Sequence, residues 1–256
     1  MHLPSRAARL LAVAALPLIL AACGSSGTSG PSGLSDSSGP SGLSGSSGSG
    51  AGPAAAAGSA PKDPDAGLLT GARLKRALAP ASAFPAGFAV DPDAARDSGD
   101  TFAPAASATA AGHDCARLDG TGWIEITGIA GASFAQNDYA DRGATQDVAQ
   151  EIDAYRGDGA AWVLAGLAEV VAACSGFQDA DTHSKVTVTG RATPGLGDGA
   201  YTVTLTDDSW ENGTTLVAAR VGHHVVSVLS TAGHDNGAAT ARALAERLVG
   251  SVRGAL

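Results

Sequence analysis

The chain has 256 residues, of which 35 are glycine, 4% are aromatic and 16% are charged. Asp and Glu number 25 against 16 Lys and Arg, which gives a formal net charge of −9. This balance argues against nucleic-acid binding, because phosphate neutralisation needs clustered basic side chains. It also argues against electrostatic docking on anionic lipid headgroups. The length allows one domain of ordinary size together with tails.

The first 22 residues have the three-part pattern of an export signal. Arg6 and Arg9 precede an apolar run at positions 10–20, which is too short to span a bilayer but suits a signal-peptide core. The sequence Leu-Ala-Ala then leads to Cys23, which resembles a bacterial lipobox, whose cysteine receives a diacylglyceryl group. We therefore predict a lipoprotein signal peptide over 1–22 and a lipid anchor at Cys23. The alternative is an ordinary secretory signal with an incidental cysteine.

Residues 24–60 consist almost entirely of Gly, Ser, Ala and Pro, and two near-identical nine-residue units follow each other at 30–38 and 39–47. Such a segment has too little apolar surface to offset its chain entropy. We predict that the lipidated cysteine and this linker, residues 23–60, form a disordered tether. Its r.m.s. span would be roughly 30–35 Å, which lets a domain stand clear of the membrane. The alternative is that the repeats serve as sites of O-glycosylation rather than as a plain spacer.

Charge, aliphatic residues and periodicity return in residues 61–256, which are long enough for one hydrophobic core. A first helix is predicted from four leucines spaced for one face: Leu68, Leu69, Leu74 and Leu78. Residues 84–88 predict a loop that leads into a short extended segment. Residues 94–112 are small and polar, and we expect them to be irregular.

Residues 147–155 alternate in polarity and predict a strand. The residues on one parity of this strand are Val148, Gln150, Ile152 and Ala154. Glu151 and Asp153 share the other parity, which we interpret as a solvated face rather than an acid–base pair.

A helix is predicted next over 159–174, with Asp158 as its N-cap. Its apolar residues at helical spacing are Ala161, Leu164, Ala165, Ala168, Val171 and Ala172, flanked by Trp162, Leu167 and Val170. We assign Trp162 to the core, because a large aromatic side chain on an apolar helix is most simply explained by packing.

The last third has the clearest local signals. Four segments rich in β-branched residues predict strands at 185–189, 200–206, 214–221 and 223–230. Asn212 and Gly213 offer positive φ for one turn, and Gly222 suits the first central position of a type II′ hairpin. Asn236 is the predicted cap of a final helix over 237–252, whose apolar stripe is Ala241, Leu244, Ala245, Leu248 and Val252. Consecutive strands joined by tight turns predict an α+β fold, an antiparallel sheet with flanking helices.

The three cysteines divide into Cys23 for the lipid and the pair Cys115 and Cys174. An even pair in an exported domain predicts one disulfide. The alternative is two free buried thiols.

No catalytic or metal-binding pattern is visible. The chain lacks HExxH and CxxC, has no GxSxG elbow in its folded part, and has no glycine-rich phosphate loop between strand and helix. Five histidines are conceivable metal ligands but are better interpreted as surface or partly buried residues: His113, His183, His223, His224 and His234. His223 and His224 are neighbours in a strand and point to opposite faces. We expect no metal, no cofactor and no enzymatic activity.

Residues 65–252 resemble the PknH-like sensor-domain family, the extracytoplasmic sensor domain of a serine/threonine kinase and its lipoprotein relatives. The resemblance rests on five features: Leu68-Leu69, Asp114-Cys115, the strand–helix unit over 148–174, the hairpin over 216–228 with its turn at Gly222, and the C-terminal amphipathic helix. It implies an antiparallel sheet with flanking helices around a cleft that binds an unidentified extracellular ligand. Family members usually have four domain cysteines, whereas this chain has two, and no kinase follows the domain.

These observations lead to an expected function. We expect a lipoprotein on the extracytoplasmic face of the cell membrane whose sensor-like domain, 61–256, binds without covalent chemistry. Its partner would be a small molecule, a cell-wall component or another protein. The alternatives are an exported cell-wall hydrolase with an unrecognised site and a purely structural envelope protein. The sequence does not name the ligand-binding residues.

Overall fold

A computed structural model describes residues 63–106, 114–180 and 182–256, with the side chains of Trp123 and Ile124 excepted. The predicted signal peptide, Cys23, the linker and His113 lie outside the described residues.

The strands are β1 (Phe88–Asp97), β2 (Ser133–Asp141), β3 (Asp147–Ala154), β4 (Gly176–Gln178), β5 (Lys185–Ala192), β6 (Ala200–Thr206), β7 (Thr214–Val221) and β8 (His224–Ser230). The helices are α1 (Gly71–Ala77), α2 (Trp123–Thr127), α3 (Gly159–Ala173) and α4 (Ala238–Ala255), with 3-10 turns at Ala81–Ala83 and Cys115–Leu118.

All eight described strands form one antiparallel sheet in the order β1-β2-β3-β8-β7-β6-β5-β4. The predicted α+β class is therefore confirmed. β3 is an interior strand of this sheet, because it pairs with β2 on one side and with β8 on the other.

Helices cover both faces of the sheet. α4 packs on β7 and β8, and α1 packs on β2 on the same face. α3 packs across β5, β6 and β7 on the opposite face, and α2 packs against α3. Two hydrophobic cores result, one on each side of the sheet.

The parity predicted for β3 is confirmed on the side of α1 and α4. Val148, Ile152 and Ala154 are fully buried there. Gln150 is also fully buried, and its amide is satisfied by the backbone of Ala79 (2.9 Å to both N and O) and by Asn137 Oδ1 (2.8 Å). The opposite parity was interpreted wrongly: Glu151 and Asp153 are buried, because loops remote in sequence cover that face.

α3 spans nearly the predicted residues but turns a different face to the sheet. The buried residues are Gly159, Ala160, Val163, Leu167, Val170 and Val171. Trp162 is 61% exposed, so its assignment to the core was wrong. The helix is apolar almost all round, and periodicity then does not determine which face is buried. Asp158 occupies the N-cap position, but its side chain makes no capping bond, and its carbonyl accepts from Ala161 and Trp162 instead.

The turns confirm one prediction and correct two. Gly222 has a φ of +58° between β7 and β8, as the hairpin prediction required. Neither Asn212 nor Gly213 has positive φ, and the Gly213 N–H donates to Asn236 Oδ1 (2.9 Å).

Asn236 therefore does not cap α4. Asp235 Oδ2 does so by accepting from the N–H of Ala239 (2.8 Å). The predicted apolar stripe of α4 is buried throughout.

The first third of the domain deviates at its boundaries. α1 starts at Gly71, so Leu68 and Leu69 precede it, although both are buried. Part of the stretch predicted as irregular, residues 94–97, belongs to β1. The β1–β2 register shifts between Asp91 and Arg96, which marks a bulge in this edge strand.

The predicted disulfide is present between Cys115 and Cys174, whose Cα atoms are 5.7 Å apart. It ties the 3-10 turn at Cys115–Leu118 to the end of α3. Among the described helices, none combines the length and the apolar character that crossing a bilayer requires.

Candidate functional site

A row of polar side chains crosses the sheet on the face that carries α3. We call it the acidic stripe, and it consists of Gln136 and Asp138 from β2, Asp147, Glu151 and Asp153 from β3, and Ser227 from β8. The strand register brings them together, because Gln136 lies opposite Glu151, and Glu151 lies opposite Ser227. Directly opposite residues in an antiparallel sheet share a face, with Cβ atoms about 4.5–5.5 Å apart.

The stripe is buried: its members on β2 and β3 are between 4% and 9% exposed, and Ser227 on β8 is 0% exposed. On β3, the side toward α1 and α4 is completely closed, as Gln150 and Ile152 show at 0% exposure. On the stripe side, Glu151 is 9% exposed and Asp153 is 7% exposed. Even Ala149, which lies between two carboxylates of the stripe, is 7% exposed. The stripe side of β3 is therefore slightly less completely covered than the side toward α1 and α4.

Segments remote in sequence contact the stripe and cover it. Gln136 Nε2 donates to the carbonyl of Ala94 (3.4 Å), in the bulge of β1. Thr121, which precedes α2, forms a side-chain hydrogen bond with Glu151. At the far end, Thr231 Oγ1 donates to Asp147 Oδ1 (2.6 Å) and holds that carboxylate in place.

Asp138 lies at the centre of the negative charge. Burial is the main reason that its pKa is raised to about 8, and the neighbouring carboxylates of Asp147, Asp91 and Glu151 raise it further. Arg96 opposes this rise. At neutral pH, this carboxyl group therefore carries a proton and is a hydrogen-bond donor as well as an acceptor.

Burial raises the pKa values of Glu151 and Tyr155 as well. Burial raises the pKa of Glu151 above its ordinary value, and Glu125 adds to this effect, whereas hydrogen bonds with Thr121 and Asp153 oppose it. Burial also raises the pKa of Tyr155 well above 10, with further contributions from Asp153 and Glu151. Buried carboxyl groups that cluster and have shifted pKa values make this face a candidate functional site.

Ser227 adds an unsatisfied polar group. Its hydroxyl is fully buried and has no hydrogen-bond partner among the described residues. It stands directly opposite Glu151 on one side and Ala218 on the other, so it shares their face. A buried hydroxyl without a partner is costly, and its occurrence calls for an explanation.

The described histidines considered from the sequence, and the charged residues Asp207 and Arg156, do not join the acidic stripe. His224 is fully buried on the α4 side, whereas His223 is exposed and contacts the carbonyl of Gly157 (2.8 Å). Across the described residues, no three His, Cys, Asp or Glu side chains are arranged to hold a metal ion. Asp207 serves the β6–β7 turn by accepting from Ser209. Arg156 pairs with Asp65 (2.6 Å).

Sequence reasoning missed Gln136, Asp138, Asp147 and Ser227, and it interpreted Glu151 and Asp153 as solvated. The sequence did contain an indication of the stripe. β3 carries three acidic residues on one face, and its other face consists mainly of apolar residues typical of a core. The register with β2 and β8 was needed to bring the remaining members next to them. Searches of protein-family models and of curated proteins found no match to this chain.

Proposed function

We propose that this protein is a lipoprotein, anchored by Cys23 on the extracytoplasmic face of the cell membrane, whose domain binds an extracellular ligand at the acidic stripe without covalent chemistry. The observation that carries the binding proposal is the stripe itself. It combines a cluster of carboxyl groups on residues that are only 4–9% exposed with a buried Ser227 hydroxyl that has no partner among the described residues. Ligand sites are typically concave and contain a few convergent polar groups.

The export proposal has separate support. The order of basic residues, short apolar run and Leu-Ala-Ala-Cys motif is typical of lipoproteins. A disulfide between Cys115 and Cys174 is consistent with an oxidising compartment outside the cytosol. The resemblance to the PknH-like sensor-domain family points in the same direction, toward an extracytoplasmic module that senses a ligand.

Metabolic labelling with an alkyne fatty acid tests the anchor. Cells that produce the wild-type chain should yield a labelled protein, and Cys23→Ala should abolish the label, because the thioether forms only on that sulfur. Equal labelling of both chains, or no labelling of the wild type, would refute acylation at Cys23.

Native mass spectrometry tests ligand binding. The full chain is purified from its own host in detergent, next to an Asp138→Asn variant and an Asp208→Asn control. Asp208 is exposed in the β6–β7 connection, away from the stripe. We expect a bound species on the wild type and the control that is depleted on Asp138→Asn. Identical spectra for all three proteins would contradict a ligand site at the stripe.

One observation favours a second candidate, an exported cell-wall hydrolase. A carboxyl group whose pKa is raised to about 8, as for Asp138, is protonated at neutral pH and suits a general acid, and Glu151 lies nearby as a second carboxyl. Release of sugars from cell-wall glycan by the wild type, and its loss in Asp138→Asn, would favour this candidate over binding alone.

A further inference from the structure

Two of the three asparagines in the chain are followed by glycine: Asn212-Gly213 before β7 and Asn236-Gly237 before α4. The third, Asn137, is followed by an aspartate. Asparagine is a chemically labile residue, and a following glycine makes it more so, because no Cβ hinders the glycine nitrogen. The two Asn-Gly pairs are therefore candidate sites of spontaneous modification.

The modification is deamidation, a cyclisation followed by hydrolysis. The backbone nitrogen of the glycine attacks Cγ of the asparagine, so that an N–Cγ bond forms. The Cγ–Nδ2 bond breaks, and ammonia leaves with the proton that the glycine nitrogen loses. Water then opens the succinimide to aspartate or to isoaspartate, in which the main chain runs through the former side chain. The reaction needs a free nitrogen, a side-chain carbonyl that can approach it, and a backbone that can rotate to join them.

One hydrogen bond connects the two Asn-Gly pairs. The N–H of Gly213 donates to Oδ1 of Asn236 at 2.9 Å, although the two residues are 23 positions apart. This nitrogen is the nucleophile that would attack Asn212, and this oxygen belongs to the amide that the nitrogen of Gly237 would attack. The bond therefore occupies the reacting nitrogen of one pair and directs the reacting carbonyl of the other toward a different loop.

Close packing also fixes the backbone of both glycines. Gly213 is buried, and a Cβ built on it would collide with the carbonyl of Leu205 and lie 2.9 Å from Oδ1 of Asn236. A Cβ built on Gly237 would collide with the carbonyl of Ser230. Backbone this closely surrounded cannot rotate into the geometry of a succinimide without displacing its neighbours on β6 or β8. Packing therefore opposes cyclisation at both pairs.

We propose that Asn212 and Asn236 are paired deamidation sites, and that the hydrogen bond from Gly213 to Asn236 protects both of them in the folded domain. Deamidation at either position removes the protection of the other. Isoaspartate at position 236 has its free carboxylate on Cα and lacks the Oδ1 acceptor, so the nitrogen of Gly213 is released. Isoaspartate at position 212 adds a methylene group to the main chain and displaces the same nitrogen from Asn236.

Incubation of the purified full chain in detergent, at physiological temperature and mildly alkaline pH, tests the protection. Peptide mass spectrometry detects the mass increase that replacement of –NH2 by –OH causes, and an isoaspartyl methyltransferase labels the isoaspartate product. We expect Asn212 and Asn236 to react at least about tenfold faster in guanidinium chloride than in the folded protein, because unfolding removes a hydrogen bond whose contribution is near that factor. Asn137 is the internal reference and should react slowly in both states. Equal rates for Asn212 in the folded and unfolded protein would contradict the proposal.

Variants at position 236 test the hydrogen bond itself. Asn236→Gly removes the acceptor and accommodates the φ of +60° at this position, whereas Asn236→Asp retains an acceptor oxygen in nearly the same shape. We expect Asn236→Gly to speed the deamidation of Asn212 in the folded protein by about tenfold or more. Asn236→Asp should leave this rate close to that of wild type. Circular dichroism establishes that each variant is folded.

His224→Ala is the matched control for reduced stability. It removes a different buried hydrogen bond, the one from the N–H of Leu69, and leaves the bond between Gly213 and Asn236 in place. The rate at Asn212 should then equal that of wild type, because the proposed protection is local. An acceleration as large as that in Asn236→Gly would mean that general loosening of the domain controls the reaction, and the proposal would be wrong.

The pairing of the two sites is tested on wild-type protein that has been incubated in the folded state. Cleavage after Lys185, the last lysine of the chain, releases residues 186–256, a fragment that contains both Asn212 and Asn236 but not Asn137. We expect the fraction of fragments modified at both positions to exceed the product of the two single fractions, because the first deamidation exposes the second site. A doubly modified fraction equal to that product would show that the sites react independently and would overturn the pairing.

Discussion

The imidazole Nε2 of His224 accepts a hydrogen bond from the backbone N–H of Leu69 at 3.2 Å, although the two residues are 155 positions apart. This contact joins β8 to the segment that precedes α1, and Ser133 Oγ donates to the carbonyl of Leu69 (2.6 Å) from β2. Both backbone groups of one buried leucine are thereby satisfied by side chains of the sheet. The entry of the chain into α1 is fixed by these two bonds.

Replacing His224 should destabilise the domain, because the Leu69 N–H would lose its buried acceptor and a cavity would form. We expect His224→Ala to lower the free energy of unfolding by about 2–4 kcal/mol, measured by urea denaturation at pH 7. His223→Ala is the matched control, since that side chain is exposed. A similar loss in both variants would argue against the role of the buried contact.

The same histidine predicts a dependence on pH. Burial lowers the pKa of His224 from 6.5 to about 4, against the opposing effect of the Val221 backbone. The unfolded chain therefore binds more protons than the folded one between these values, and the contribution of His224 to stability falls as pH decreases from 6.5 to 4. The difference in stability between wild type and His224→Ala should narrow by up to about 3 kcal/mol over this range. A constant difference would contradict the buried neutral state.

Asp138 should make the domain less stable as pH rises, which is opposite to the pH dependence expected from His224. Because its pKa is raised from 3.8 to about 8, the folded protein holds a proton that the unfolded chain has released. Its contribution to stability is lost as pH rises toward 8, by about 2 kcal/mol between pH 6.5 and 8. The groups facing it are Asp91 and Arg96 on β1 and Asp147 and Glu151 on β3.

Asp138→Asn should reduce the loss of stability between pH 6.5 and 8 and make the domain more stable than wild type at pH 8. Urea denaturation midpoints measured across this pH range would show both effects. Asp208→Asn removes the same charge from an exposed turn and should leave the slope unchanged. Parallel slopes for wild type and Asp138→Asn would show that this carboxyl is ionised in the folded protein.

The disulfide should contribute substantially to stability, because Cys115 and Cys174 are 59 positions apart and their bond closes a long loop in the unfolded chain. Reduction should lower the free energy of unfolding by about 2–4 kcal/mol, measured by urea denaturation with and without reductant. The double variant Cys115→Ala/Cys174→Ala should resemble the reduced protein and show no response to reductant. A reductant effect that persists in this variant would have another origin.

Two glycines with positive φ should respond differently to alanine. Gly237, at φ +79°, precedes α4, and a Cβ there would collide with the backbone carbonyl of Ser230. Gly222, at φ +58°, has open space around it. We expect Gly237→Ala to cost about 2–5 kcal/mol and Gly222→Ala about 1–2 kcal/mol, measured by thermal or urea unfolding. Equal losses would mean that conformation alone, rather than the close approach, requires glycine at 237.

Local patterns predicted the strands of the last third well. β6 and β7 begin and end where their β-branched runs do, and the hairpin at Gly222 follows from one glycine between two such runs. Two cysteines remain outside the predicted signal peptide and lipobox, and this count was sufficient to predict the pairing of Cys115 with Cys174. These features depend on neighbours in the chain or on simple counting, so the sequence expresses them directly.

The predictions from the sequence were wrong where segments that are distant along the chain determine which side chains are buried and bonded. Trp162 lies on a helix that is apolar on every side, and only packing against the sheet determined that Val163 and Leu167 turn inward. Asn236 has the side chain of a helix cap, yet its oxygen accepts from Gly213, a residue of another loop. Competing partners for one polar group cannot be ranked from local sequence.

The sequence by itself therefore determined the class of the domain, most of its strands and its covalent cross-link. Only the tertiary structure brought the acidic residues together, because the register of β2, β3 and β8 places Asp138 and Ser227 beside Glu151. The physical reason is that alternation along a strand fixes which residues share a face but not what covers that face. Whether a carboxylate is solvated or buried depends on segments that the chain brings there from far away.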